Sequence, residues 1–319
     1  MSRNTYSRRQ ILSLLPAVVL AGCGDDHGPR APGFPRVKWR IVSTTQFTAD
    51  IVRVVGGEAV NSICFVPPGI NPHAFRPDGP EIARVHTSDM VITHGLGWEN
   101  RWSQDFDELA NSNVKLASVT AGIPPERILK SAEPGGPPDP HVWNAPDLAV
   151  YMVDAVARTL IEAMPQLADY FAPRAHRLKV EFDDLHKLTS QRMQGLKDKD
   201  RFLLTSHDSM QYFARAFQLE ARAIAAADGA VPESVPDPLK EWIQSHSVKS
   251  LFREPFTDAI ALRKLLADLR VNPDNLIYSL TLPAAGTTAM VSFKSYEVSQ
   301  AAGAEAHNAD NVQFTLQVD

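Results

Sequence analysis

Residues 166–196, QLADYFAPRAHRLKVEFDDLHKLTSQRMQGL, repeat apolar side chains with a helical period along their whole length. At about 1.5 Å per residue, a helix of roughly 30 residues is about 45 Å long, which is enough to cross a two-domain protein. Pro173 is expected either to bend this helix or to mark its true start. Strand-like and helix-like runs alternate on both sides of the stretch, so we interpret it as a rigid helix that joins two similar halves.

The alternation predicts an α/β fold with two βα lobes, each built on a mainly parallel sheet. The expected strands cover residues 37–43, 62–66, 90–93, 114–116, 201–206, 221–225, 250–253 and 276–278. The expected helices cover residues 46–55, 77–86, 98–109, 146–164, 210–217, 236–246 and 259–269. The predicted division is an N-terminal lobe over 37–165, a linking helix over 166–197 and a C-terminal lobe over 198–319.

Composition limits the classes of partner and of site. A chain of 319 residues that is 44% hydrophobic can bury a large core, and its net charge of −5 provides no basic surface for nucleic acid. The two cysteines, Cys23 and Cys64, are too few for a disulfide framework or a cysteine-rich zinc site. Cys64 lies in an apolar strand-like run and is interpreted as a buried strand residue.

The N-terminus has the pattern of an export signal. Arginines precede an apolar run, Ile11–Ala21, that is too short for a permanent membrane helix. The run ends in Leu20–Cys23, which resembles a bacterial lipobox, so residues 1–23 are predicted to be a signal peptide with Cys23 as the acylated residue. An ordinary signal peptide with an incidental cysteine is the alternative. Ser7–Leu12 also resembles a twin-arginine signal, and residues 24–36 are predicted to form a flexible tether.

Three histidines stand in short conspicuous motifs. They are His73 in PPGINPH (67–73), His141 in DPHVW (139–143) and His207 in LTSHD (204–208). Each lies where a predicted strand gives way to a loop or helix, and ligands of open α/β sheets bind beyond the carboxyl ends of strands. Neutral imidazole is a common zinc ligand, and three imidazoles leave a fourth position to be filled. His86, His94, His176, His186 and His246 have no such context and are interpreted as structural or exposed.

These motifs carry a resemblance to a known family. Pro67–His73, Asp139–Trp143, Thr205–His207 and Glu254-Pro255 resemble, in the same order, motifs of the solute-binding lipoproteins of bacterial zinc and manganese ABC transporters, the cluster A-I or ZnuA/TroA-like family. The resemblance covers roughly residues 37–282. It implies a metal site in the cleft between two lobes, with His73, His141 and His207 as ligands. It also implies delivery to an ABC permease that is served by a separate ATPase subunit.

The chain departs from the family pattern at two places. Ser279 stands where many members have an aspartate ligand, and residues 303–319 look irregular, with a possible strand over 312–318, where members have an amphipathic helix. The fourth ligand is therefore left open between water, Glu254 and a tail residue. The candidates in the tail are His307 and Asp310. Glu254 is alternatively a structural carboxylate near the hinge.

Three imidazoles without an assured carboxylate favour Zn²⁺, with Mn²⁺ or Fe²⁺ as alternatives. A zinc hydrolase with Asp208 or Glu254 as base is the rival class, but the chain contains neither a His-Glu-x-x-His nor a Gly-x-Ser-x-Gly motif, so an enzyme is not expected. A role in cell adhesion stays open beside transport. The predicted protein is a monomer anchored through Cys23 at the outer face of the cytoplasmic membrane or in the periplasm, and its capture of metal is expected to weaken below about pH 6.5.

Overall fold

The computed structural model describes residues 37–67, 70–102, 106, 114–130, 135–225 and 230–277, and the backbone of 288–294 and 313–317. Residues 35–319 group into one compact unit. The predicted signal peptide, Cys23 and the predicted tether lie outside the described residues. No helix in the described ranges combines the length and the apolar character that crossing a membrane requires.

The first lobe is built on a four-stranded parallel sheet in the order β2-β1-β3-β4. Its strands are β1 Trp39–Ser43, β2 Val60–Cys64, β3 Met90–Thr93 and β4 Lys115–Ser118. Two helices connect the first three strands, α1 Gln46–Gly56 and α2 Gly79–His86. The Thr45 hydroxyl caps α1, and Asp78 and Glu81 form a reciprocal capping box at α2. Because the strands are parallel, their carboxyl ends meet at one edge, and the loops toward His73 and His141 leave from that edge.

Two long helices follow the first sheet, α3 Pro146–Ala163 and α4 Ala168–Gln194. A short 3₁₀ turn, Pro165–Leu167, precedes α4, which has 27 residues and hence a length of about 40 Å. The helix begins before Pro173, so the expectation that this proline marks its start is wrong. Proline fits helical backbone angles but has no N–H, so the helix loses one backbone hydrogen bond at Pro173. The burial of the long apolar face of the helix outweighs that loss.

The buried face of α4 explains why the helical period is so regular. Its buried side chains recur at helical spacing, and they are Phe171, Ala175, Leu178, Phe182, Leu185, Thr189 and Met193. The Phe182 ring packs against Phe47 of α1, with ring centroids 6.0 Å apart. The linking helix is therefore fastened to the first lobe along part of its length and then leads into the second.

The second lobe contains a six-stranded sheet in the order β10-β9-β8-β7-β5-β6. Its strands are β5 Phe202–His207, β6 Glu220–Ala225, β7 Ser250–Arg253, β8 Asn272–Ile277, β9 Thr288–Lys294 and β10 Gln313–Gln317. Its helices are α5 Gln211–Phe217, α6 Asp237–Ser245 and α7 Ala259–Leu266. Strands β5 to β8 pair in parallel, whereas β8, β9 and β10 pair antiparallel. The strand predicted within 312–318 is confirmed as β10.

Most predicted elements are confirmed with bounds shifted by a few residues. The segment expected to be helical over 98–109 begins as a 3₁₀ helix at Trp98–Trp102, and Phe106, the next described residue, is α-helical. Trp98 and Trp102 are both fully buried there. These large side chains fill the space beside the carboxyl end of β3, where the metal-binding motifs converge.

Candidate metal centre

The three predicted histidines come from three different settings. His73 lies in a turn after β2, where its backbone N–H donates to Asn71 Oδ1 at 3.0 Å. His141 lies at the end of the loop that precedes α3, and His207 is the last residue of β5. The strand therefore runs one residue further than the expected end at Ser206. His141 and His207 are each only 2% exposed.

The fold brings the three imidazoles together between the lobes. Their ligand atoms all lie within 4.8 Å of one another. Among the described residues, these three side chains form a group that could hold a metal ion. The ring centroids are 5.4 Å apart for His73 and His141, 4.7 Å for His73 and His207, and 4.9 Å for His141 and His207. Convergence of the predicted triad is thus a property of the fold.

The spacing of the nitrogens fits a small metal ion. The Nε2 atoms of His73 and His141 are 3.4 Å apart. Two nitrogens at about 2.0–2.1 Å from a tetrahedral ion stand about 3.3–3.4 Å apart. The separation of these two nitrogens therefore already matches that of two ligands of a tetrahedral zinc ion.

Asp139 sets the orientation of His141. Its Oδ1 atom accepts the His141 backbone N–H at 2.9 Å and lies 2.7 Å from His141 Nδ1. An ionised carboxylate only accepts, so Nδ1 carries the ring proton and donates it. The lone pair of Nε2 is then free to face the site, as in carboxylate–histidine–metal arrangements generally.

Glu254 does the same for His207. Its Oε1 atom lies 3.1 Å from His207 Nδ1 and accepts the Ser209 hydroxyl at 2.6 Å, while Oε2 accepts the Ser206 hydroxyl at 2.6 Å. Burial raises the pKa of Glu254, but the hydrogen bonds from His207, Ser206 and Ser209 outweigh it and hold this pKa below its usual range. Glu254 is thus an anion behind His207, with both of its oxygens engaged.

Burial keeps the imidazoles neutral. Burial, together with the neighbouring His207 and His141 and the charge of Arg101, lowers the pKa of His73 to about 2. Burial also lowers the pKa of His141 well below its ordinary value. Neutral imidazole is the form that binds metal, so these two rings are ready for a cation over the whole physiological pH range.

Aromatic rings wall the site. The Trp98 ring packs edge-on against His73 at 5.0 Å, Trp143 packs against His141 at 5.2 Å, and Phe256 packs against His207 at 6.3 Å. These rings exclude water from the back of the cleft. Exclusion of water strengthens every electrostatic interaction within the cleft.

The other predicted site residues fall in different places. Glu254 is not part of the group of ligand atoms that the three histidines form. Its role as fourth ligand stays a prediction. Ser279, His307, Asp310 and Cys23 lie outside the described residues. Asp139 is not among the predicted site residues, although a carboxylate two residues before a histidine is spaced to accept its Nδ1–H. His94, expected to be structural or exposed, is fully buried and contacts the His141 loop.

Sequence comparison finds relatives across most of the chain. The model of the family described as zinc-uptake complex component A, periplasmic, matches residues 41–303. The zinc-binding protein TroA of Treponema pallidum is 27% identical over 228 residues, which cover 70% of this chain and 73% of that protein. The manganese-binding lipoprotein MntA of Bacillus subtilis is 27% identical over 211 residues, which cover 66% of this chain and 67% of that protein.

Solved structures share the fold. The periplasmic zinc-binding protein TroA of Treponema pallidum superposes with a TM-score of 0.70 at 25% identity, over 79% of this chain and 92% of that chain. A manganese-bound periplasmic metal-binding protein of Candidatus Liberibacter asiaticus gives a TM-score of 0.67 at 19% identity, over 78% and 92%. At that identity the second likeness shows the fold alone. Both likenesses extend over more than three quarters of this chain.

Proposed function

This chain belongs to the ZnuA/TroA family of metal-binding components of ABC transporters, and from that membership we propose that Zn²⁺ is the divalent metal it captures, with His73, His141 and His207 as ligands. Members of the family are solute-binding proteins and not enzymes, so the ion is cargo. The observation that carries the proposal is the convergence of three imidazoles whose ligand atoms lie within 4.8 Å of one another.

Charge balance supports the capture of a dication. Asp139 and Glu254 each hold the Nδ1–H of one ligand histidine, and together their two negative charges offset the two positive charges of the ion. A buried charge is costly unless it is paired, so these carboxylates stabilise the loaded cleft without themselves touching the metal. The site thus has an inner layer of imidazoles and a layer of carboxylates behind it.

Zinc is favoured over manganese because of the donor atoms. Imidazole nitrogen suits zinc, whereas manganese prefers carboxylate, carbonyl and water oxygens. Both oxygens of Glu254 already accept hydrogen bonds, which leaves water as the proposed fourth ligand. The alternative is Mn²⁺ or Fe²⁺, since one relative is a manganese-binding lipoprotein.

Delivery follows from the targeting pattern of the N-terminus. We propose that residues 1–23 direct export, that Cys23 is acylated, and that residues 24–36 tether the folded body to the outer face of the cytoplasmic membrane. We also propose that the twin-arginine pattern at Ser7–Leu12 directs export of the protein after it has folded. The loaded monomer then docks on the permease of an ABC transporter, where a separate ATPase supplies the energy.

The test is metal analysis and competitive titration of residues 36–319 with zinc and manganese. Zinc is expected to bind at one site per chain and to displace manganese. Replacement of His141 by alanine should weaken zinc binding by orders of magnitude, whereas His176→Ala, which removes an exposed imidazole of α4, should leave it unchanged. Equal zinc titration curves for the two variants would refute the site, and a preference for manganese would refute the choice of metal.

A further inference from the structure

The segment that carries His141 is held at two consecutive carbonyl groups. The Asp139 carbonyl accepts the hydroxyl of Tyr212 at 2.8 Å. The Pro140 carbonyl lies 2.7 Å from His94 Nε2. A carbonyl can only accept, so Nε2 of His94 carries a proton and donates it. Tyr212 belongs to α5 of the second lobe and His94 follows β3 of the first, so the two donors reach the segment from opposite lobes.

The segment depends on such bonds because it has no regular structure of its own. The described part of the loop, 135–140, contains no helix or strand and includes Pro137, Pro138 and Pro140, which lack a backbone N–H. The hydrogen bond from Asp139 N–H to the Leu129 carbonyl, at 3.0 Å, closes the loop at its base. The Tyr212 hydroxyl accepts the Leu129 N–H at 2.9 Å and so completes that closure.

His94 is itself fixed to the first sheet. Its backbone N–H donates to Thr44 Oγ1 at 2.8 Å and to Glu99 Oε1 at 2.7 Å, and its ring packs edge-on against Trp143 at 4.9 Å. The side chain is fully buried. Because both the backbone and the ring of His94 are held in place, its Nε2–H leaves the Pro140 carbonyl little freedom to move.

Tyr212 is equally fixed to the second lobe. It is completely buried, and it is the second residue of α5, five residues after His207, which ends β5. The same part of the chain makes a second bond across the cleft, from Asn144 Nδ2 to the Ser209 carbonyl at 2.9 Å. The hydrogen bond from Tyr212 to Asp139 therefore helps to fix the position of His141 relative to His207.

We propose that Tyr212 and His94 are positioning residues of the metal site, which hold Asp139–His141 from both lobes and thereby determine its preference for zinc over manganese. The inference rests on the proposed metal-binding function. Neither residue touches the ion. By fixing the backbone next to His141 they keep its Nε2 at tetrahedral zinc spacing from His73, and a looser segment would give up that spacing. Zinc affinity would then fall more than manganese affinity, because manganese gains less from three closely set imidazoles.

The test compares variants of the full-length chain in detergent, titrated with Zn²⁺, Mn²⁺ and Co²⁺. Tyr212→Phe removes one hydroxyl, and His94→Leu removes the donor to Pro140 while keeping an apolar body. His94→Gln places an amide N–H near the position of Nε2 and is the rescue variant. Tyr170→Phe is the matched control, because it removes a half-buried hydroxyl of α4 that also accepts a backbone N–H, that of Glu58, away from the cleft.

We expect Tyr212→Phe and His94→Leu to lose about 10-fold or more in zinc affinity, with a smaller loss for manganese. The visible spectrum of bound Co²⁺, which reports tetrahedral geometry, should change in both, and His94→Gln should restore it in part. Wild-type affinities and an unchanged cobalt spectrum in Tyr212→Phe, with only a lower melting temperature, would overturn the inference and leave the hydrogen bonds merely structural. If His94→Leu does not fold, Tyr212→Phe decides. If the wild type and Tyr170→Phe bind none of the metals, the proposed function itself has failed.

Discussion

Glu254 holds His207 through a hydrogen bond of 3.1 Å between Oε1 and Nδ1, although 46 residues separate the two in the chain. Glu254 and His207 are 3% and 2% exposed. Two serine hydroxyls, from Ser206 and Ser209, each donate to the carboxylate at 2.6 Å. The carboxylate is thus fixed before it fixes the imidazole, and the Nε2 lone pair of His207 can point only toward the cleft.

Replacement of Glu254 by glutamine should weaken zinc binding by about 10- to 100-fold, the usual effect of removing an outer carboxylate partner. Glutamine keeps the shape of the side chain but removes its charge, so a ligand histidine loses the anion that raises its basicity. Glu241→Gln removes the same charge from an exposed position of α6 and should have no measurable effect. Competitive titration with a chromogenic chelator measures the zinc affinity of both variants. Loss of binding beyond about 1000-fold would instead point to Glu254 as a direct ligand.

Metal affinity should fall as the pH drops below about 6. The pKa of His73 is lowered to about 2 and that of His141 is also lowered, so neither ring holds a proton that an arriving ion must displace. Burial raises the pKa of Asp139 to about 6, despite the opposing bond from the His141 N–H. Zinc favours the ionised carboxylate, so loading expels a proton from Asp139 below that pH and affinity declines there.

The cause of this pH effect differs from the expectation drawn from unperturbed histidines, which places the loss below about pH 6.5. The measurement is calorimetric zinc titration in buffers of different ionisation enthalpy, which counts the protons released. Release of three protons per ion near pH 6 would show that all three imidazoles titrate ordinarily. Asp139→Asn should remove the step near pH 6 if the carboxylate is its source.

The fold was predictable because its signals are periodic. The apolar stripe of α4, including Phe171, Leu178 and Phe182, repeats at helical spacing and needs no knowledge of what it packs against. At Pro173 the sequence leaves open a bend or a helix start, because a local rule about proline ignores the apolar face on both sides of it, and the structure begins the helix before this residue.

The site was predictable only for residues inside compact motifs. His73, His141 and His207 stand beside prolines or at strand ends, which are local features. Glu254 and His94 meet their partners through tertiary contacts, and no spacing along the chain shows that a buried carboxylate faces one particular imidazole. For that reason the sequence left Glu254 open between ligand and structural carboxylate.

Replacement of Gly95 by alanine should destabilise the first lobe by about 1–3 kcal/mol, because its φ of +90° is a conformation that L side chains rarely adopt. An added Cβ would also crowd Ser118 Oγ and stand 2.6 Å from Thr120 Oγ1. Gly95 follows His94, so the strain falls on the turn that anchors the Pro140 carbonyl. Urea unfolding at equilibrium gives the free-energy difference.

Gly79→Ala is the matched control for Gly95→Ala. Gly79 is the first residue of α2, and an added Cβ there meets nothing within 4 Å. Alanine has the higher helix propensity, so this variant should be as stable as the wild type or slightly more stable. Equal stability of both alanine variants would mean that the backbone at Gly95 adopts ordinary angles.

Cys64 should resist alkylation in the native protein. Cys64 ends strand β2, but its side chain is half-buried rather than buried as expected. Its partial burial raises the pKa of the thiol to about 12, although a hydrogen bond with the Val66 backbone acts in the opposite direction. The thiolate is the reactive form, so iodoacetamide at pH 8 should modify Cys64 more than about 100-fold more slowly in the folded chain than in 6 M urea. Mass spectrometry of the peptide that contains Cys64 follows this residue separately from Cys23. Cys64→Ala should leave zinc affinity unchanged, and a native labelling rate equal to that in urea would show that the end of β2 opens readily to solvent.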